Sequence, residues 1–490
     1  METEKVSDYR KIVKGTALFG GTQVFNILIN IIRGKLVAIL LGSVGMGISS
    51  LFTSALSPIQ QFSSLGIPFA AVKDISSSEE ESRKNKVVAV IRKLLLFSSL
   101  ICCLLMVLFS PVLSKITFGN TDYTISFCFL SVALLFQTLN QCETTILQGY
   151  RKLKDLAFVS VIGSLCGLFV GLPLYYFYGN DGIIPALICL ALCTYIFTRN
   201  ATRKIGISKV KISFRETWKF GMPIIILGLL LMIGALFGNI TTYSLNSFIR
   251  GHGAISDVGL YQAANSITNQ YVGLVFTAMA TDYYPQLSSI IKDKVKVRNL
   301  LLQESEIVLY LVAPLASIII ITAPLIIKIL LTNEFLCIAD IVRFLGLGII
   351  TKAACFPLGY ISVAKGDKKF YFWMEAIWSN LKTFIVFASF YYIFGFRGLG
   401  YAALVSSILD IIVVCLMNKW RYGLGLNSYF FKQFFFLISL VASCLIFSFL
   451  PNLLISWMGM LSTSFLVIFF SLKQLNDRIA LKSLLRKFKK

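Results

Sequence analysis

Gln23, Asn26, Asn30 and Arg33 follow one another at intervals of three, four and three residues, which places all four on one face of a helix. The chain around them is apolar, as in VFNILINIIRGK. A guanidinium stays charged at any physiological pH and presents its N–H donors as a planar fork that fits phosphate. The carboxamides beside it can hydrogen-bond hydroxyl groups. The pattern recurs: Asn239, Thr242 and Asn246 share a face, as do Gln262, Asn265 and Asn269, and a weaker stripe runs through Ser50, Thr53, Ser57, Gln60 and Ser64. These residues predict recognition of an anion such as a phosphate, with no bond made or broken. The chain has no Walker-type phosphate loop, no G-x-S-x-G, no H-E-x-x-H and a single histidine, so no catalytic residue, metal site or cofactor is assigned.

The elements that must position such residues follow from composition. Hydrophobic residues make up 57% of the 490 and charged residues 14%, with a mean hydropathy of +0.79. Soluble domains carry about 25% charged residues. Windows of about 18 nearly charge-free residues recur, each long enough to cross hydrocarbon roughly 30 Å thick. An all-α polytopic membrane protein is predicted, with about fourteen transmembrane helices near 16–41, 45–72, 87–113, 122–149, 156–178, 182–199, 218–249, 257–284, 300–331, 338–363, 371–394, 397–417, 433–450 and 453–472.

Charge gives the orientation. With the N-terminus cytoplasmic, 37 of the 46 Lys and Arg fall on that side, three fall outside (Lys115, Arg250 and Arg397) and six lie within helices. That bias predicts both termini cytoplasmic, and it explains the net charge of +23 without nucleic acid. The longest cytoplasmic connection divides the chain into an N-terminal six-helix lobe (1–198), a linker (199–217) and a second six-helix lobe (218–418). Two extra helices (433–472) and a basic tail (473–490) follow. Lobes with an even number of spans share one orientation and are related by an axis along the membrane normal. The polar faces of helices one, two, seven and eight then enclose a central cavity.

In that cavity Arg33 has no acidic residue on helices one, two or seven to neutralise it. A guanidinium at the bilayer centre costs roughly 3 kcal/mol or more, so an anionic substrate is the expected partner. Lys35 points about 160° away from Arg33 on a straight helix; it either joins the site or snorkels outward. Arg250, in FIRGHGAISDVG, stands at the outer mouth. Ser, Thr and Asn also glue membrane helices to one another, and that reading stays open for each stripe.

Other polar groups are assigned as follows. Glu143 and Asp410 are the candidates for coupling to an ion gradient. Arg343 and Lys352 can pair with Asp410 or Glu143, and Glu375 and Lys382, seven apart on one face, bridge to one another or to neighbours. Gln137, Gln141, Glu143, Thr144 and Gln148 make helix four polar near its inner end. His252 reads as a turn residue. The eleven cysteines lie almost entirely in apolar segments and form no disulfide framework. The charged N-terminus lacks a cleavage site, so the first helix reads as the insertion signal. In the tail, Leu481, Leu484, Leu485 and Phe488 oppose Lys482, Arg486, Lys489 and Lys490, which suits a helix lying on anionic membrane lipids.

The run GTALFGGTQVFNILINIIRGKLVAILLGSVGMGISSLFTS, with LGIPFAAVKDIS after it, resembles the start of bacterial O-antigen flippases, the Wzx-type polysaccharide translocases. VGLYQAANSITNQYVGLVFTAMATDYYPQLS resembles their second-half signature and ILQGYRKLKDLA their fourth-helix exit. The likeness covers most of the chain except helices thirteen and fourteen. It implies the multidrug/oligosaccharidyl-lipid/polysaccharide exporter fold, with two lobes around a cavity open alternately to either side. It further implies a substrate of undecaprenyl pyrophosphate bearing an oligosaccharide, flipped from the cytoplasmic to the periplasmic leaflet of the inner membrane. Partners in that setting are an O-antigen polymerase and a chain-length regulator. Arg33 matches the basic cavity of the family, whereas the second-helix basic residues of lipid II flippases are missing. A drug or organic-cation exporter on the same fold would need carboxylates in a cavity that is basic here. A polymerase or ligase would need a large periplasmic loop, and the exterior loops are short.

Overall fold

The computed structural model describes residues 2–78, 80–208 and 210–479. The side chains of residues 2–21, 23, 24, 230, 269–272, 274, 277, 278 and 281 lie outside that description, as do most of the expected amphipathic tail and the side chain of Gln23. The described residues are helical apart from short connections and contain no strand. The chain divides into two compact units, Met1–Gly259 and Leu260–Lys490.

The first unit holds α1 (Glu2–Ser64), α2 (Ile67–Ser77), α3 (Glu81–Leu108), α4 (Ser110–Phe118), α5 (Thr124–Gly149), α6 (Leu153–Phe169), α7 (Gly171–Tyr178), α8 (Ile183–Arg203) and α9 (Phe214–His252). α1 is continuous in hydrogen bonding but breaks direction at Gly42, where φ is 63° and ψ −166°. Only glycine reaches that conformation without strain, and the break falls between the two helices expected there. α9 starts with a capping box: the Ser213 side chain faces the backbone of Glu216 while the Glu216 carboxylate accepts from the Ser213 N–H at 3.2 Å. His252 closes α9, stacked on Phe248, and so belongs to a helix end and not to a turn.

Burial within this unit is aliphatic: Ile67, Ala71, Ile75, Val87, Ile91 and Ile224 meet in one cluster. Leu104, Phe169 and Phe177 are exposed, as residues that face lipid must be.

α10 (Ile255–Ile290) begins at the end of the first unit. The second unit contains most of it with α11 (Lys294–Leu330), α12 (Ala339–Ala364), α13 (Lys368–Tyr371), α14 (Ser379–Phe394), α15 (Gly398–Tyr422), α16 (Ser428–Phe447) and α17 (Leu453–Ile479). A π-helical segment, Phe372–Trp378, joins α13 to α14. Leu309, Ala313, Ile320, Ile350, Phe430 and Leu437 form the core, and α17 is tied to the base of α11 by Arg478 on Glu306 at 2.6 Å.

Among the described residues, eight helical runs are long and apolar enough to cross a membrane, and nine if α9 counts as one bent span. Three of those runs, of 40, 51 and 55 residues, are about twice the length of one crossing. The chain is a multi-pass membrane protein.

Gly66, between α1 and α2, has φ +63°, and a Cβ there would stand 2.0 Å from the carbonyl oxygen of Gly228 on α9. Left-handed backbone alone costs a non-glycine residue about 1–2 kcal/mol. Gly66→Ala is therefore expected to lower the thermal midpoint of the detergent-solubilised protein, and an unchanged midpoint would remove this contact as a determinant of the fold.

Candidate functional site

The expected anion site starts on α1. Asn26 is buried and donates from Nδ2 to Ser160 Oγ at 2.8 Å, while Ser164 Oγ donates to its Oδ1 at 2.9 Å. Both serines belong to α6, so the amide expected to meet a sugar instead joins two helices. Two turns further along, the Arg33 guanidinium lies across Gly167 of the same helix: a Cβ at 167 would stand 2.8 Å from its Nη1. The absent side chain leaves room for the fork. Arg33 is partly exposed, and among the described residues no carboxylate stands within ion-pair distance of it. Asn30 is exposed and Lys35 partly exposed.

The other candidates are dispersed. Asn239 is partly buried on α9. Asn246 is 1% exposed, with neither side-chain polar atom partnered among the described residues, so it does not line an open cavity. Arg250 lies over Gly119, at the left-handed C-cap of α4, and its Nε is buried without a partner. In the second unit Gln262 and Asn265 are partly buried. The side chains of Gln23 and Asn269 lie outside the described residues.

The two coupling candidates differ sharply. Glu143 is 3% exposed and held by Arg92, through Nε at 2.9 Å and Nη2 at 2.7 Å, by Arg199 Nη1 at 2.5 Å and by the Thr202 hydroxyl at 2.6 Å. Those four donors join α5 to α3 and α8 at one buried carboxylate. Neither Arg92 nor Arg199 was singled out as a site residue. The charge count places both among the cytoplasmic cations, where no partner is required of them.

Asp410 sits differently, at the wall of a cavity of about 420 Å3 within the second unit, lined also by Lys352, Glu375, Tyr360, Tyr371 and Trp378. Its Oδ2 accepts from buried Lys382 Nζ at 2.6 Å, and the same ammonium donates to the Ser406 carbonyl at 3.2 Å. Of the two partners open to Lys382, a neighbour and not Glu375 takes it, and Arg343 joins Asp340 one turn away at 3.1 Å in place of Asp410 or Glu143. Glu375 lies in the π-helical segment, and such segments often mark functional sites.

Comparison with known proteins gives a consistent picture. Residues 36–340 match the family model described as polysaccharide biosynthesis protein. The lipid III flippases of Escherichia coli (strain K12) and Shigella flexneri are each 21% identical over 386 residues, covering 77% of this chain and 90% of theirs. Among solved structures, the lipid II flippase MurJ in an inward closed conformation superposes with a TM-score of 0.68 at 16% identity, covering 95% of this chain and all of that one. An inward-facing multidrug resistance MATE family transporter of the MOP superfamily gives 0.64 at 18% identity, covering 83% of this chain and 96% of that one. The chain shares the fold of these two solved structures.

The Lys382–Asp410 pair gives a stability test. Removing one member of a buried ion pair costs about 3–5 kcal/mol, whereas replacing both with apolar groups is often neutral. Lys382→Met is expected to lower the thermal midpoint strongly, and Lys382→Met with Asp410→Leu to recover most of the loss. A double variant no better than the single one would show that Asp410 has partners beyond Lys382.

Proposed function

The chain belongs to the polysaccharide biosynthesis protein family, and on that premise we propose that it flips a lipid-linked oligosaccharide across a membrane. In this reading the substrate is undecaprenyl pyrophosphate bearing an O-antigen-type unit, moved from the cytoplasmic to the periplasmic leaflet of a bacterial inner membrane. The observation that carries it is Arg33, a guanidinium within an apolar helix with room made for it at Gly167 and, among the described residues, no carboxylate within ion-pair distance. It stands nine residues, or about 13 Å along the helix, before the break at Gly42. A diphosphate supplies the charge and the paired oxygens that such a fork lacks. The names of the lipid III and lipid II flippases among the relatives support a lipid-linked cargo.

The working arrangement is alternating access by two six-helix lobes, 1–198 and 218–418, joined by the linker 199–217. Helices 433–472 are appended, fourteen spans are crossed in all and both termini are cytoplasmic. The polyprenyl tail stays in lipid while the diphosphate meets Arg33. Asn30, Asn239, Gln262 and Asn265 are the amides left to meet hydroxyls, since Asn26 is tied to α6. Lys35 and Arg250 add positive charge. Asp410, at its cavity, is the carboxylate proposed for ion coupling. A polymerase and a chain-length regulator would receive the product. The MATE-like fold also supports export of an organic cation, but an unpaired guanidinium repels such a cargo.

In an O-antigen-producing host lacking its own flippase, the wild-type chain should restore surface polysaccharide. Arg33→Lys should restore part of it, because an ammonium keeps the charge without the fork. Arg33→Ala should restore less than about a tenth, the loss expected for a charge-assisted hydrogen bond worth 1.5–3 kcal/mol. Full restoration by Arg33→Ala at normal membrane levels would refute the reading.

A further inference from the structure

The Glu143 cluster is unevenly satisfied. The carboxylate receives four donors, which fill its lone-pair sites. The guanidiniums are far from filled: Arg92 gives two of its N–H groups and Arg199 one, where each carries about five. No other acceptor among the described residues takes the rest. Both forks reach the surface, with side chains 28% and 30% exposed over a carboxylate that is 4% exposed. Two cations on one anion leave a single positive charge. The carboxylate behind them stops either fork from turning away.

The surroundings suit one class of ligand. Toward the cytoplasmic side proposed above, Arg151, Lys152, Arg203 and Lys204 are exposed at the ends of α5 and α8. On the opposite side, one turn along each helix from the guanidiniums, Leu96 on α3 and Ile196 on α8 are exposed apolar side chains. Basic residues on one flank and lipid-facing residues on the other describe the headgroup boundary of a bilayer. We propose that Arg92 and Arg199, held by Glu143, form a binding site for the phosphate-bearing headgroup of a lipid at the inner boundary of the first unit. A resident phospholipid and an incoming isoprenyl diphosphate offer the same chemistry. The site's placement rests on the orientation proposed above; its chemistry does not depend on flipping.

The test is native mass spectrometry of the full chain titrated with phosphatidylglycerol, farnesyl diphosphate or phosphate-free diacylglycerol. Arg199→Gln keeps an N–H donor for Glu143 and removes one cation. It should reduce retention of a phosphate-bearing lipid about tenfold, the worth of one charge-assisted bond, and leave diacylglycerol unchanged. Arg199→Lys, which preserves the ion pair, guards against misfolding and should retain intermediate binding. Loss confined to phosphatidylglycerol assigns the site to a resident phospholipid, and loss confined to farnesyl diphosphate assigns it to the incoming diphosphate. Loss of both supports a site open to either. Equal retention by Arg199→Gln and wild type, or equal loss of diacylglycerol, overturns the proposal. Retention is read on the purified chain with Arg199 variants and the polysaccharide assay on cells with Arg33 variants, so failure of the flipping reading and failure of this site are told apart.

Discussion

A charge carried into hydrocarbon must be met there by another charge, by water or by a ligand, and this requirement organises the chain. Glu143 is met by Arg92 and Arg199, Asp410 by Lys382 and Glu306 by Arg478. Each pair also fastens helices: α3, α5 and α8 meet at Glu143, α14 and α15 at Asp410, α11 and α17 at Glu306. Arg33 differs from these groups because no carboxylate among the described residues answers it. Matched charges hold helices in register, and the cargo role proposed for Arg33 rests on its lacking such a match.

Glycine sets where the unmatched charge can lie. Gly167 leaves a gap on α6 that the guanidinium fills, while Ser160 and Ser164, along the same helix, hold Asn26. A helix face of Ser, Ser and Gly is what lets α1 approach α6 closely and still carry a long side chain between them. Gly42 kinks α1, and Gly66 lets the next segment touch the backbone of α9. The polar face of α1 is thus shared: part of it is glue and part of it is open.

Much of this was legible in the sequence. Apolar windows bounded by charge marked where helices lie, because hydrocarbon thickness imposes a length and backbone hydrogen bonding imposes the helix. Each of those windows falls in helical structure, with Gly42 and Gly395 marking breaks inside long runs. The spacing of Asn26 and Arg33 correctly put both on one face, but spacing cannot say what that face meets. Ser160 and Ser164 are distant in sequence, and only the fold brings them to Asn26. The same limit applied to ion pairs. Seven-residue spacing leaves Lys382 open to Glu375 or to a neighbouring helix, and only the fold selects Asp410. The partners of Glu143 come from two other helices, α3 and α8, which no local pattern encodes.

The central claim is that Arg33 is kept unpaired for a diphosphate. Equilibrium binding of undecaprenyl pyrophosphate to the purified chain in detergent tests it most directly, with undecaprenyl monophosphate as the second ligand. The account predicts that wild type prefers the diphosphate and that Arg33→Ala weakens its binding about tenfold or more. Equal affinity of wild type and Arg33→Ala for the diphosphate would contradict it.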